Sequence, residues 1–133
     1  GLENQVYFWG ALPRDRTLCK MAESHVLLHP SLHDSGGFVL TEMMGIGRSA
    51  ICLDLGGPAT QVTAETGIKV KATDPDSAVQ GLAEAIVYLA GDPQLRSQLG
   101  KAGQKRVRDV YDWNTKGLFF AQLYEEMVDR KSG

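Results

Sequence analysis

The sequence predicts an α/β fold: a parallel sheet of about four strands, crossover helices between them, and a helical C-terminal tail, all within a single domain spanning residues 1–133. Two observations predict it. Four short runs rich in β-branched and aromatic residues, QVYFWG (5–10), SHVLLHP (24–30), SAICLDL (49–55) and GIKVKA (67–72), each end at Gly, Pro or a polar turn residue and read as buried strands. Segments of helical period lie between and after them, and strand–helix–strand succession is the pattern of a parallel sheet.

Taken in order, residues 14–24 (RDRTLCKMAES) and 38–46 (FVLTEMMGI) predict short helices joining successive strands. Asp74-Pro75 and Asp92-Pro93 each pair a capping acid with Pro at the first helical position, where a missing N–H costs nothing. Val79, Leu82, Ala83, Ile86 and Leu89 form the apolar stripe of the first of these helices, which Gly91 ends. Leu95, Leu99, Ala102 and Val107 serve the second. Asp112 caps a last helix on which Phe120, Leu123, Tyr124 and Met127 repeat at helical spacing after Trp113, positions expected in the core.

Composition excludes several functions. With 43% hydrophobic and 23% charged residues the chain is a globular domain, and its net charge of −2 gives no electrostatic case for nucleic acid. Lys101, Lys105, Arg106 and Arg108 read as a solvated helix face. Cys19 and Cys52 form no Cys-x-x-Cys pair, and no apolar run reaches the length of a membrane span, so a cytoplasmic setting is expected.

Three patterns are candidate sites. His25, His29 and His33 are evenly spaced, but Pro30 breaks a helical arrangement, and on a strand 25 and 29 would stand about 13 Å apart, so no metal site is expected. GIGRSA (45–50) satisfies a dinucleotide pattern, yet it follows a helix and precedes a strand, the reverse of the required order. Gly45 and Gly47 then read as a helix end and turn. DSGGFVLTE (34–42) follows the strand HVLLHP and opens a helix. Its glycines allow close approach and its first amides suit a phosphate, while an ordinary capped helix explains the local pattern equally well.

A longer reading separates these alternatives. HPSLHDSGGFVLTEMMGIG followed by SAICLDLGG resembles the retaining, group 1 (family 4) glycosyltransferases of the two-domain GT-B fold. Their pattern is a Pro-Ser strand exit, Glu-x7-Glu with an internal Gly, Ala-Met-Ala-x-Gly-x-Pro-Val, and a strand ending in Gly-Gly. The resemblance extends through TGIKVKATDPDSAVQGLAEAI and DPQLRSQLGKAGQKRV to YDWNTKGLFFAQLYEEM, nearly the whole chain. It implies part of a Rossmann-like nucleotide-sugar-binding domain. No separate cofactor is implied; the donor would be a UDP-, GDP- or ADP-sugar. Glu42 matches the acid that holds the ribose, and Asp34 the acid that contacts the transferred sugar, with Ser35, Gly36 and Gly37 beside it. The backbone amides of Phe38, Val39 and Leu40 fall where the diphosphate is cradled, and Gly10, Ala11 and Leu12 where the nucleobase is flanked.

The chain departs from the pattern at Asp34, one methylene shorter than Glu, at Met43 in place of a small Ala, and at Ser49 in place of Pro. The family's diphosphate-neutralising Arg and Lys, and its acceptor-binding domain, precede the segment matching QVYFWG. Arg14 and Arg16 follow that segment and read as exposed helix-start residues. The isolated chain is therefore expected to be inactive. An alternative is a stand-alone nucleotide-sugar-binding or oligomerisation module, which predicts an open sheet edge beside QVYFWG and a homodimer through it. A GT-B epimerase or phosphorylase is a weaker alternative.

Overall fold

The computed structural model describes residues 1–130. Its sheet has three parallel strands, β1 (Val26–His29), β2 (Ser49–Leu53) and β3 (Gly67–Val70), in that spatial order. Helix α1 (Arg14–Glu23) leads into β1, α2 (Phe38–Gly45) joins β1 to β2, and α3 (Gly56–Gln61) joins β2 to β3. Then follow α4 (Pro75–Gly91), α5 (Pro93–Arg106), a π-helical segment (Val107–Tyr111) and α6 (Trp113–Asp129).

Every residue of β2 is buried, which explains its unbroken apolar sequence: a central strand with both faces covered has no solvent side to mark with polar residues. Ile51 and Leu53 point to one face and pack with Val70, Ala78, Ala85, Leu89 and Leu99. Ala50 and Cys52 point to the other, against Leu40 and Val62. Burial pushes the Cys52 thiol up to about 11, so it behaves as a small apolar side chain.

The predicted caps are in place. Asp74 accepts from Ser77 N at 2.9 Å, Asp92 from Leu95 N at 2.8 Å and Asp112 from Asn114 N at 2.8 Å. Helix α2 ends at Gly45; Gly47 takes a φ of 79° and its N–H reaches Met44 O at 2.9 Å, while Arg48 N reaches Met43 O at 3.1 Å. GIGRSA is thus a helix end leading into β2. Met43 and Met44 are buried, and Met44 lies against Gly103 of α5.

Several expectations are corrected. QVYFWG forms no strand: Tyr7, Phe8 and Trp9 are exposed, and Trp9 lies under the Lys20 ammonium of α1 at 4.5 Å. A strand exists only as part of a ladder, and no strand of the sheet runs beside this segment. The sheet edges are instead β1, where Leu28 is exposed, and β3. On α4 the core face is Ala78, Leu82, Ala85 and Leu89, while Val79 and Ile86 face out. Small residues decide this, because a Cβ at Gly81 would stand 2.6 Å from Val70 Cγ1 and only a small face lets α4 lie this close to β3. Trp113, Phe120, Leu123, Tyr124 and Met127 are exposed, since α6 packs chiefly on the π segment and not on the sheet. Arg106 does not face solvent alone: it donates from Nε to Gln61 O at 2.9 Å and from Nη2 to Thr60 O at 3.0 Å, capping the last carbonyls of α3. Helix α3 itself has no counterpart among the sequence expectations. Among the described residues, no helix is long and apolar enough to cross a membrane.

Ser49, at the start of β2, is fully buried, and among the described residues its hydroxyl has no hydrogen-bond partner. An unpaired buried hydroxyl is destabilising, so Ser49→Ala is expected to raise stability by about 1 kcal/mol, read as a higher urea midpoint at unchanged slope.

Candidate functional site

The carboxyl end of β1 leads through Pro30 into the turn Asp34–Gly37 and then into α2. Asp34 organises that turn. Its Oδ1 accepts from Gly36 N at 2.9 Å and Gly37 N at 2.7 Å, and its Oδ2 lies 3.0 Å from His29 Nε2 at the end of β1. The amides of Gly37 and then Gly36, with lesser help from His29, hold the Asp34 carboxyl below its usual value of 3.8.

Glycines let the turn be this tight. Gly37 takes a φ of 53°, a conformation that side chains rarely adopt. Gly56 and Gly57, at the start of α3, press on the same turn: Gly57 N donates to Asp34 O at 2.9 Å, and a Cβ at Gly57 would stand 2.3 Å from Ser35 O. Gln61 closes the far side, its Nε2 donating to Gly36 O.

The start of α2 has a definite pattern of free and bound amides. Leu40 N is taken by Gly37 O at 2.8 Å, and Gly36 N and Gly37 N by Asp34. Among the described residues, Phe38 N and Val39 N have no protein acceptor. They are the two open donors at the positive end of the helix. Glu42, a turn further along α2, is three-quarters buried, and its Oε1 is paired with Arg14 Nη1 of α1 at 2.6 Å. Arg14 is exposed as expected, but it is also the partner of Glu42.

The sequence candidates are only partly brought together. Asp34, Ser35, Gly36, Gly37, Phe38, Val39, Leu40 and Glu42 form one continuous turn and helix start. Gly10 and Leu12 line a different groove of about 500 Å³ along α1, with Trp9, Thr17, Lys20 and Met21. Arg14, two residues beyond Leu12, ties the start of α1 to α2 through its pair with Glu42. The histidines diverge: His25 lies before β1, His29 bonds Asp34, and His33 Nδ1 lies 3.1 Å from Leu32 O. Among the described residues, no three His, Cys, Asp or Glu side chains are grouped to hold a metal ion. His29, Arg14, Gln61 and the Gly56-Gly57 pair carry parts of the site that sequence patterns assigned no role; only the strand-ending Gly-Gly left a signal.

Because the native Asp34 carboxyl is shifted down, its contribution to stability is complete above the unfolded value and is lost as pH falls through the lower native one. Asp34→Asn is therefore expected to flatten the acid limb of stability below about pH 4, measured as urea midpoints from pH 6 to pH 2.5.

A parallel α/β sheet whose strand β1 leads through a glycine turn into a helix carrying Glu42 defines the class, an open α/β domain. Residues 1–106 match the family described as Glycosyl transferases group 1, and the chain belongs to that family. It is similar to alpha-maltose-1-phosphate synthase of Mycolicibacterium smegmatis, 29% identical over 111 residues that are 80% of this chain and 29% of that protein. It is also similar to a GDP-mannose-dependent monoacylated alpha-(1-6)-phosphatidylinositol monomannoside mannosyltransferase of Corynebacterium glutamicum, 27% identical over 87% of this chain and 31% of that one. Among solved structures, sucrose-phosphate synthase of Thermosynechococcus elongatus superposes with a TM-score of 0.82 at 29% identity, over 97% of this chain and 32% of that one. The fold is thus that of a GT-B glycosyltransferase domain, in a chain that spans less than a third of the length of these relatives.

Proposed function

We propose that this chain is the nucleotide-sugar-binding part of a glycosyltransferase, which in the full enzyme transfers a sugar from a nucleoside diphosphate sugar with retention of anomeric configuration. The observation that carries this reading is the pair of open amides, Phe38 N and Val39 N, between the Asp34 turn and the Glu42 carboxylate. Two helix-start donors suit the diphosphate, and they matter most when charge builds on it as the sugar leaves. Leu40 would contribute packing rather than its amide, which Gly37 already holds. Glu42 would accept from the vicinal ribose hydroxyls with its carboxylate oxygens. The turn of Asp34, Ser35, Gly36 and Gly37 would border the sugar, and Gly10, Ala11 and Leu12 the base.

By itself the chain would bind and not turn over, because positioning two substrates needs an acceptor site as well. The test is calorimetric titration of the chain with UDP, GDP and ADP. Saturable one-to-one binding by at least one, weakened in Glu42→Ala, supports the reading; binding by none of them sinks it.

A further inference from the structure

Asp34 stands where the family pattern has a longer acid, and its carboxylate is bonded mostly within its own turn. A carboxylate offers about four acceptor positions. Here Oδ1 receives Gly36 N at 2.9 Å and Gly37 N at 2.7 Å, and Oδ2 faces His29 Nε2 at 3.0 Å. One methylene makes this possible, since an Asp side chain folds back on amides two or three residues ahead. The same residue's carbonyl accepts from Gly57 N at 2.9 Å, so both its side chain and its main chain are used to hold the turn. With the amides of Gly36 and Gly37 turned back toward Asp34 and that of Leu40 bonded to the Gly37 carbonyl, Phe38 N and Val39 N are left without an acceptor among the described residues.

His29 is the side chain that meets the other carboxylate oxygen, Oδ2, at 3.0 Å. It is fixed in turn by its place at the end of β1, opposite Cys52 of the buried central strand. An ionised carboxylate only accepts, so the hydrogen of this contact is carried by His29 Nε2. Resting on the donor-site reading above, we propose that His29 is a positioning residue of that site: it donates to Asp34 Oδ2, holds Oδ1 on the glycine amides, and so sets the direction of the open amides of Phe38 and Val39. Asp34 then acts through the turn and not as a direct sugar acceptor.

Two variants of the full chain test this, each titrated with the diphosphate that binds best among UDP, GDP and ADP and with a matching sugar nucleotide. His29→Gln keeps an N–H donor at a similar reach and is expected to bind within about threefold of the original chain; His29→Leu removes it and is expected to bind both ligands roughly tenfold more weakly. Equal affinity in His29→Leu and the original chain overturns the proposal and leaves the donor-site reading standing. A loss confined to the sugar nucleotide also overturns it, since that is the mark of direct sugar contact by Asp34. Failure of the original chain to bind any diphosphate overturns the donor-site reading and the proposal with it. Imidazole ¹⁵N spectra of the original chain at neutral pH need no variant: His29 Nε2 must carry a proton, and an unprotonated Nε2 overturns the proposal.

Discussion

Glu42→Ala is expected to weaken binding of the preferred nucleoside diphosphate by at least about a hundredfold, with little change in the thermal melt. The size follows from the chemistry. A hydrogen bond to a charged group contributes about 1.5–3 kcal/mol, and the ribose would lose two such acceptors at once. The Arg14 pair does not protect against this loss. Arg14 is 73% exposed while Glu42 is 26% exposed, so solvent reaches the pair from the Arg14 side and its worth stays near the roughly 0–1 kcal/mol of an exposed pair, which a ribose hydroxyl can displace at small cost. Arg14→Ala is accordingly expected to shift affinity by less than about fivefold, which isothermal titration of both variants at one ionic strength would check. A Glu42→Ala chain that binds as tightly as the original would remove the ribose role from this residue.

Gly57→Ala is expected to destabilise the chain by about 1–3 kcal/mol, the range for overpacking a close-packed site. The added Cβ would meet Ser35 O at 2.3 Å, Ser35 C at 2.7 Å and Gly36 N at 3.2 Å, all backbone atoms that no rotamer change can move. Either α3 lifts away or the Asp34 turn opens, and each breaks the 2.9 Å bond from Gly57 N to Asp34 O. Diphosphate affinity should fall with stability, because the open amides of Phe38 and Val39 are aimed by that turn. Gly91→Ala is the control: a Cβ there meets nothing within 4 Å, and the urea midpoint should hold or rise. Equal midpoints for Gly57→Ala and the original chain would mean that the contact between turn and α3 is not as close as the geometry has it.

The elements that sequence foretold are those whose causes lie within a turn or two of chain. Asp74, Asp92 and Asp112 cap their helices because each acid meets an amide two or three residues ahead. The Gly45–Gly47 end of α2 follows from backbone freedom at one glycine, and β2 from an apolar run too continuous for a half-exposed strand. Helix α3 escaped the same reading because its six residues, GGPATQ, carry no apolar stripe. The order of motifs from His29 to Gly57 also carried the family, since spacing along the chain survives where individual residues change.

Other features depend on partners far along the chain. QVYFWG has the composition of a strand but no neighbour to pair with, and the apolar stripe of α6 has helical period but no sheet beneath it. Composition measures the tendency to be buried; only packing supplies something to be buried against. The same division runs through the site. Sequence by itself determined the glycine turn, the helix start and the eight-residue spacing of Asp34 and Glu42. Tertiary structure decided which groups hold those acids, bringing the end of β1 to Asp34 through His29, the start of α1 to Glu42 through Arg14, and the start of α3 under the turn through Gly57. A hydrogen bond or ion pair across a fold leaves no periodic trace in sequence, because its geometry is set by how strands and helices stack and not by the distance along the chain.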